Sequence, residues 1–212
     1  MTAARGRTGR PPLTEERKAE IRRDISRAAV ELFVAQGVAA TTGEQIGEAV
    51  GVSARTVWRY FPTKESCVRP LLSEGIDRAA ALLREWAPGR PLEHLFDRSV
   101  ASGLGIVGGA EQAAVADLVR LTRTESGLRA IWLQAYDEAE PAFARALAER
   151  LGLPEDGLKV TVQAAMFNAA LRAAVERHIW RTAAPETDPG EAEEELMATL
   201  RSALAVVGEG VR

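Results

Sequence analysis

Gly51, in the stretch "GEAVGVSARTVWRYFP", most restricts how this chain can fold. A residue free to take left-handed backbone angles separates two short helical segments there, as the tight turn of a helix-turn-helix requires. On the near side, Thr41 and Thr42 each have Glu or Gln three residues on, the capping-box pattern, and the helix that follows carries Ile46 and Val50. On the far side, Ser53 caps a third short helix that runs to Tyr60 and is broken by Phe61-Pro62. Helices that cross steeply need a small residue at the contact, which Gly47 with Ala49 offers. Ile46, Val50, Val52, Val57 and Phe61 can fill the inside. That leaves Ser53, Arg55, Thr56, Trp58, Arg59 and Tyr60 on the other sides of the third helix. Arginine can pair with guanine edges, hydroxyls can bond phosphates, and a capped helix start offers free amides to an anion. A solvated amphipathic helix with an aromatic lid would show the same residues.

Upstream, the Arg/Gly/Pro-rich residues 1–13 form a basic arm expected to be flexible. Thr14 then caps a first helix, with Glu15 and Glu16 in its first turn. Ile21, Ile25, Ala28, Ala29, Leu32 and Phe33 recur at helical spacing up to a stop at Gly37. Downstream, Thr63 caps a fourth helix that runs towards Trp86, with Pro70 inside it as a kink. After the break at Pro88-Gly89-Arg90-Pro91, helices are expected at about 92–102, 111–124, 126–151, 156–182 and 191–207. No β-alternation of useful length and no internal repeat is present. The fold class is therefore all-α, with about nine helices.

Charge is divided along the chain. Residues 1–69 hold twelve Lys+Arg against eight Asp+Glu, and the remainder fifteen against twenty-two, so a basic head precedes an acidic body. Such a head suits a polyanionic partner. A single cysteine, Cys67, excludes an internal disulfide and a cysteine-based metal site. The opening residues lack an apolar signal region, and the longest uncharged run, 99–110, is too short to span a bilayer. A cytoplasmic location without membrane contact is expected.

With these features in place, "TTGEQIGEAVGVSARTVWRYFPTKES" resembles the DNA-binding region of the tetracycline-repressor (TetR) family of bacterial transcription regulators. The preceding "AAVELFVAQGVAATT" resembles that family's first helix and its lead into the second. The likeness covers about residues 14–69. The Gly-Val-Ser turn, the Thr-x-x-Arg-Tyr-Phe-Pro run and the following Lys-Glu all coincide. Gly47 and Val50 depart from it, standing where alanine is usual. A glycine costs roughly 1 kcal/mol of helix propensity but keeps a close approach possible.

Carried over residue by residue, the resemblance implies that Arg55, Thr56, Trp58 and Arg59 face the major groove. It implies that Thr42, Tyr60 and Lys64 meet phosphates, and that Ser53 caps rather than reads. Arg5, Arg7 and Arg10 resemble an arm that follows the minor groove, although a solubilising tail fits them equally. The resemblance further implies a homodimer released from a palindromic double-stranded DNA operator by a small-molecule effector. Residues 14–69 would then be the helix-turn-helix DNA-binding domain and 70–212 the ligand-binding and dimerisation domain.

In that body, Ala165, Phe167, Ala169, Leu171, Ala173 and Val175 on one helix, with Leu196, Leu200, Leu204 and Val207 on the next, would form the dimer interface. The internal core of a monomer fits the same stripes. Trp86, His94, Phe96, Trp132, Tyr136, Phe143, Met166 and Asn168 are the candidate liners of an effector pocket, and they suggest an apolar or aromatic ligand.

Several other patterns lack their required context. "GLGIVG" at 103–108 spells a dinucleotide motif, but a helix-like segment precedes it instead of a strand. His94 and His178 have no ligand-type neighbours in sequence, so neither a metal nor a cofactor is expected. The run Glu191–Glu195 reads as helix-start charge. No Ser/His/Asp or Cys/His arrangement stands out, so no enzyme is expected. The alternative is an all-helical small-molecule-binding protein or enzyme whose helix-turn-helix is only structural.

Overall fold

A computed structural model describes residues 14–86, 89–97, 111–181 and 189–209. The basic arm with Arg5, Arg7 and Arg10, the Gly-rich 103–108 segment and residues 98–102 of one expected helix lie outside them. The helices are α1 (Glu15–Gln36), α2 (Gly43–Ala49), α3 (Ala54–Tyr60), α4 (Arg69–Arg84), α5 (Glu111–Leu121), α6 (Ser126–Leu151), α7 (Leu158–Arg181) and α8 (Pro189–Glu209). Single 3-10 turns occupy Glu65–Val68 and Leu92–His94, and no strand occurs among the described residues. Eight α-helices among the described residues thus stand against about nine expected for the whole chain. The described part of the segment expected as a helix at 92–102 opens with the second 3-10 turn.

The head is assembled by its caps. Thr14 accepts from the Arg17 amide, and Gly37 ends α1 with φ +84°. Thr42 and Gln45 form a reciprocal capping box, the Gln45 amide donating to Thr42 Oγ1 at 3.3 Å and the Thr42 amide to Gln45 Oε1 at 2.9 Å. Gly51 turns with φ +69°. The Val52 amide then donates back to the Gly47 carbonyl at 2.8 Å, which brings the turn so close that a Cβ on Gly47 would stand 2.6 Å from Val52 O. Gly47 alone supplies the small residue at this contact, because Ala49 faces solvent. Ile46, Val57 and Phe61 are buried with Ile25, Ala29 and Phe33 of α1.

Two expectations need correction at the junction of head and body. Pro70 does not kink the fourth helix: α4 begins at Arg69, so the proline falls in its first turn, where its missing N–H costs no helical hydrogen bond. Thr63 and Ser66 instead cap the 3-10 turn ahead of it, the Ser66 amide donating to Thr63 Oγ1 at 3.2 Å. The described helix interrupted by a proline is α6, at Pro141. Beside that gap, Asn168 of α7 donates its side-chain amide to the Tyr136 carbonyl at 3.0 Å and to Glu140 Oε2 at 3.2 Å.

In the body, α4 lies against α6, α6 against α7, and α7 against α8. Leu71, Leu72, Ile76, Ala79, Ala80 and Leu83 form the buried face of α4. Phe143 and Phe167 meet edge to face at 4.9 Å between α6 and α7. A buried carboxylate, Glu176, joins the same two helices. It accepts from Arg129 at 2.5 Å, from Trp132 Nε1 at 2.7 Å and from Arg172 at 3.3 Å.

The expected dimer stripe divides under this packing. Phe167, Leu171, Leu196, Leu200 and Leu204 are buried inside their own chain, so they cannot meet a partner. Ala169 and Ala173 face solvent, and Ala165, Val175 and Val207 are half-buried. A period of three to four shows that a helix has an apolar face but not which neighbour covers it.

Replacing Gly47 by alanine raises helix propensity by about 1 kcal/mol but forces a methyl against backbone, so the clash should win by about 1–2 kcal/mol. A lower thermal midpoint for Gly47→Ala is expected, and an unchanged or raised one would refute the close contact. Glu176→Gln leaves two half-buried guanidiniums without their counter-charge, and a loss of about 2–3 kcal/mol in denaturant unfolding is expected. The isosteric amide keeps the packing, so this loss measures the charge.

Candidate nucleic-acid interface and ligand cleft

The outer face of α3 is built from its own cap and the turn before it. Ser53 Oγ accepts from the Thr56 amide at 3.2 Å and lies 3.0 Å from Thr56 Oγ1, so both hydroxyls are engaged in starting the helix. Arg55 and Arg59 stand one turn apart, both exposed. Arg55 makes no hydrogen bond or ion pair among the described residues. The Arg59 guanidinium lies 5.1 Å from the centre of the Tyr60 ring, and Arg22 of α1 lies 5.3 Å from it. The acidic residues Asp24, Glu44 and Glu48 on neighbouring helices are not bonded to either of these α3 arginines. Two exposed cations without an acidic partner among the described residues, on one short helix seated on a rigid turn, suit a phosphate-rich groove.

Trp58 has a different setting from the arginines. It is 42% exposed, yet its indole lies against the first turn of α2, where a Cβ on Gly43 would fall 2.0 Å from the ring. Gly43 therefore provides the platform that holds Trp58 flat, a role its place in the sequence does not announce. Thr42 caps α2 on the exposed side. Lys64 is placed elsewhere: its ammonium donates to the carbonyls of Val38 at 2.5 Å, Ala39 at 3.3 Å and Thr41 at 3.2 Å. All three ammonium hydrogens are thereby engaged, and Lys64 ties down the α1–α2 loop instead of projecting as a phosphate clamp. Burial, with Glu65 adding to it, pushes the Cys67 thiol up to about 12, so this lone cysteine stays protonated.

Head and body meet through charged and close contacts. Arg23 of α1 donates to Glu74 of α4 at 2.8 Å, and Arg69 of α4 pairs with Glu138 of α6. Gly127, in the first turn of α6, comes so close to Glu65 that a Cβ there would lie 3.0 Å from the Glu65 Cγ.

A narrow cleft of about 490 Å³, open mouth included, runs between α4, α5, α6 and α7. Leu71, Leu72, Ile76, Val115, Leu171 and Val175 make its apolar walls, and Glu74 and Arg78 are its charged lining residues. Of the expected liners, Trp132 and Tyr136 reach this cleft, their rings edge to face at 4.8 Å. Trp86 instead closes the end of α4, its Nε1 donating to the Arg90 carbonyl at 3.2 Å with the Arg90 and Arg150 guanidiniums over its ring. His94 lies 2.9 Å from Asp97, which also accepts from Arg201 of α8 at 3.0 Å. Burial raises the Asp97 proton affinity, but the hydrogen bonds from Arg201 and His94 outweigh it and hold the carboxyl below its usual range. Phe96 and Phe143 are core, Asn168 bolts α6 to α7, and Met166 is half-buried. The aliphatic wall on α4 could not be singled out from sequence, because any apolar helix face offers the same residues. Glu176 did carry a signal: it is a carboxylate among the buried positions of an alanine-rich helix.

Comparison with known proteins accounts for both halves. The family of bacterial regulatory proteins described as tetR matches residues 25–71, and the MftR C-terminal domain matches residues 90–212. The HTH-type transcriptional regulator TcmR of Streptomyces glaucescens is 35% identical over 169 residues, covering 76% of this chain and 74% of that protein. Among solved structures, Salmonella enterica GusR superposes with a TM-score of 0.55 at 21% identity, covering 93% of this chain and 99% of the other. The regulator FadR from Bacillus subtilis, in complex with stearoyl-CoA, does so with a TM-score of 0.51 at 19% identity, covering 90% and 99%. At these identities the structural likeness is one of fold, and the family rests on the sequence matches. This chain belongs to the TetR family of bacterial regulatory proteins and is a DNA-binding regulator of transcription.

Proposed function

We propose that the protein is a homodimeric repressor whose residues 14–69 read a palindromic operator and whose residues 70–212 bind a small, largely apolar effector that releases it. The observation that carries this reading is the pair Arg55 and Arg59, exposed on a short helix that Gly51 and Gly47 hold against the rest of the head. Thr56 and the outer part of Trp58 complete the face turned to the bases, with Thr42 and Tyr60 beside the phosphates. Ser53 acts as cap.

Two such heads must present their reading helices about one turn of DNA apart. The helices best suited to join them are α7 and α8. On their outer sides Leu158 is 79% exposed, Val162 46% and Val206 66%, and Ala169 and Ala173 are small enough for close approach. Effector binding would act as a population shift. A molecule entering the cleft must part α4 from α6, and the start of α4 is tied to the head through Glu74–Arg23.

Each arginine-to-guanine pair is worth about 1–3 kcal/mol. Arg55→Ala and Arg59→Ala should therefore weaken operator binding about five- to a hundredfold at unchanged melting temperature. A gel shift on the DNA upstream of the protein's own gene, across a salt series, reads this out. Wild-type binding should fall steeply with salt as phosphate contacts are lost. Unchanged affinity in both variants would remove α3 from the interface, and no salt-dependent binding at all would favour a helical ligand-binding protein with a merely structural head.

Dimerisation has its own test. Sedimentation should give a wild-type dimer at micromolar concentration, and Val162→Arg should give a monomer with weakened operator binding. A Val162→Arg protein that still sediments as the wild-type dimer would place the interface elsewhere.

A further inference from the structure

Tyr136 is the unusual residue of the cleft. It is 4% exposed, yet its hydroxyl makes no hydrogen bond among the described residues. A tyrosine this deeply buried normally finds a protein partner for its hydroxyl. The polar groups nearest in the same layer are already committed to one another. Glu176 accepts from Arg129, Trp132 and Arg172, and Trp132 has no second donor. The Tyr136 hydroxyl is not among the polar atoms sealed away from solvent, and the cleft is the open space that Tyr136 lines. Any partner of the hydroxyl, water or ligand, therefore reaches it through the cleft.

We infer that the Tyr136 hydroxyl is the hydrogen-bonding anchor of the cleft, and that it takes a flat, neutral, largely apolar molecule presenting a carbonyl oxygen. This rests on the cleft being the effector site. Burial, with the Glu176 carboxylate adding to it, keeps the phenol protonated, so towards a ligand it acts as a donor. The cleft walls are mostly aliphatic and the Glu176 carboxylate acts on the same hydroxyl, so a neutral acceptor suits Tyr136 better than an anion. Flatness follows from the walls. The inner cleft has room for little more than a few water molecules between α4 and α6, and the Trp132 ring forms one side. A planar molecule opens such a gap least.

The test compares 9-fluorenone with fluorene, two planar molecules that differ by one carbonyl, using tryptophan-fluorescence titration of the full-length protein. Wild type should bind fluorenone about five- to tenfold tighter than fluorene, the effect of one neutral hydrogen bond. Tyr136→Phe should reduce fluorenone binding to the level of fluorene, and leave both fluorene binding and the melting temperature unchanged, since no protein hydrogen bond is lost. If both compounds bind and the phenylalanine variant keeps the preference for fluorenone, the anchor is wrong while the effector cleft stands. Equal wild-type binding of the two compounds has the same meaning. If neither compound binds, the cleft is not an apolar effector site and the anchor falls with it.

Discussion

The packing of α4 against α6 is the contact on which the rest of the molecule depends. Six apolar residues of α4, from Leu71 to Leu83, are withdrawn from water, and burial at about 25 cal/mol per Å² makes this packing the main attachment of α4 to the body. Exposed ion pairs add little energy of their own. Arg23–Glu74 and Arg69–Glu138 instead set direction, locating α4 along its axis relative to the head on one side and α6 on the other. A helix shared by two cores can transmit a displacement, because neither core can move its contact without the other repacking.

That shared helix also walls the cleft, which explains why the cleft is narrow. In this conformation α4 and α6 satisfy each other, and space for a ligand exists only as the gap their side chains leave. The polar groups behind it are arranged so that charge is neutralised internally. Glu176 is surrounded by two guanidiniums and an indole N–H, and Asn168 meets the carbonyl next to the proline gap in α6. Tyr136 is left over from this matching.

The head shows how much of a small domain can be legible before any fold is known. Thr14, Thr42, Ser53, Gly37 and Gly51 each act within three or four residues of themselves, and each holds the cap or turn its spacing suggests. The misreadings have a different range. Lys64 reaches back 26 residues to the Val38 carbonyl, and no local pattern distinguishes that from a lysine pointing at a phosphate. Pro70 was displaced from helix interior to first turn by a 3-10 turn whose existence depends on how Thr63 and Ser66 bond each other. Gly43 carries no local signal, because the Trp58 indole that lies against it belongs to another helix.

The body divides in the same way. Among the described residues, the long helices of the body follow from periodicity, glycine and proline, and the start of α6 at Ser126 and its end at Leu151 coincide with the expected bounds. Leu196, Leu200 and Leu204 form an apolar stripe that is real, but it closes the chain's own core against α7 instead of meeting a second copy. The sequence by itself determined the helices, their caps, the glycine turn and the kind of partner the third helix suits, because those depend on forces acting over one or two turns. The tertiary structure decided which apolar faces are interior, which lysine is structural, where the cleft lies and that the Tyr136 hydroxyl has no hydrogen-bond partner among the described residues. Those outcomes depend on which distant helix a side chain meets, and helical periodicity is the same whichever helix that is.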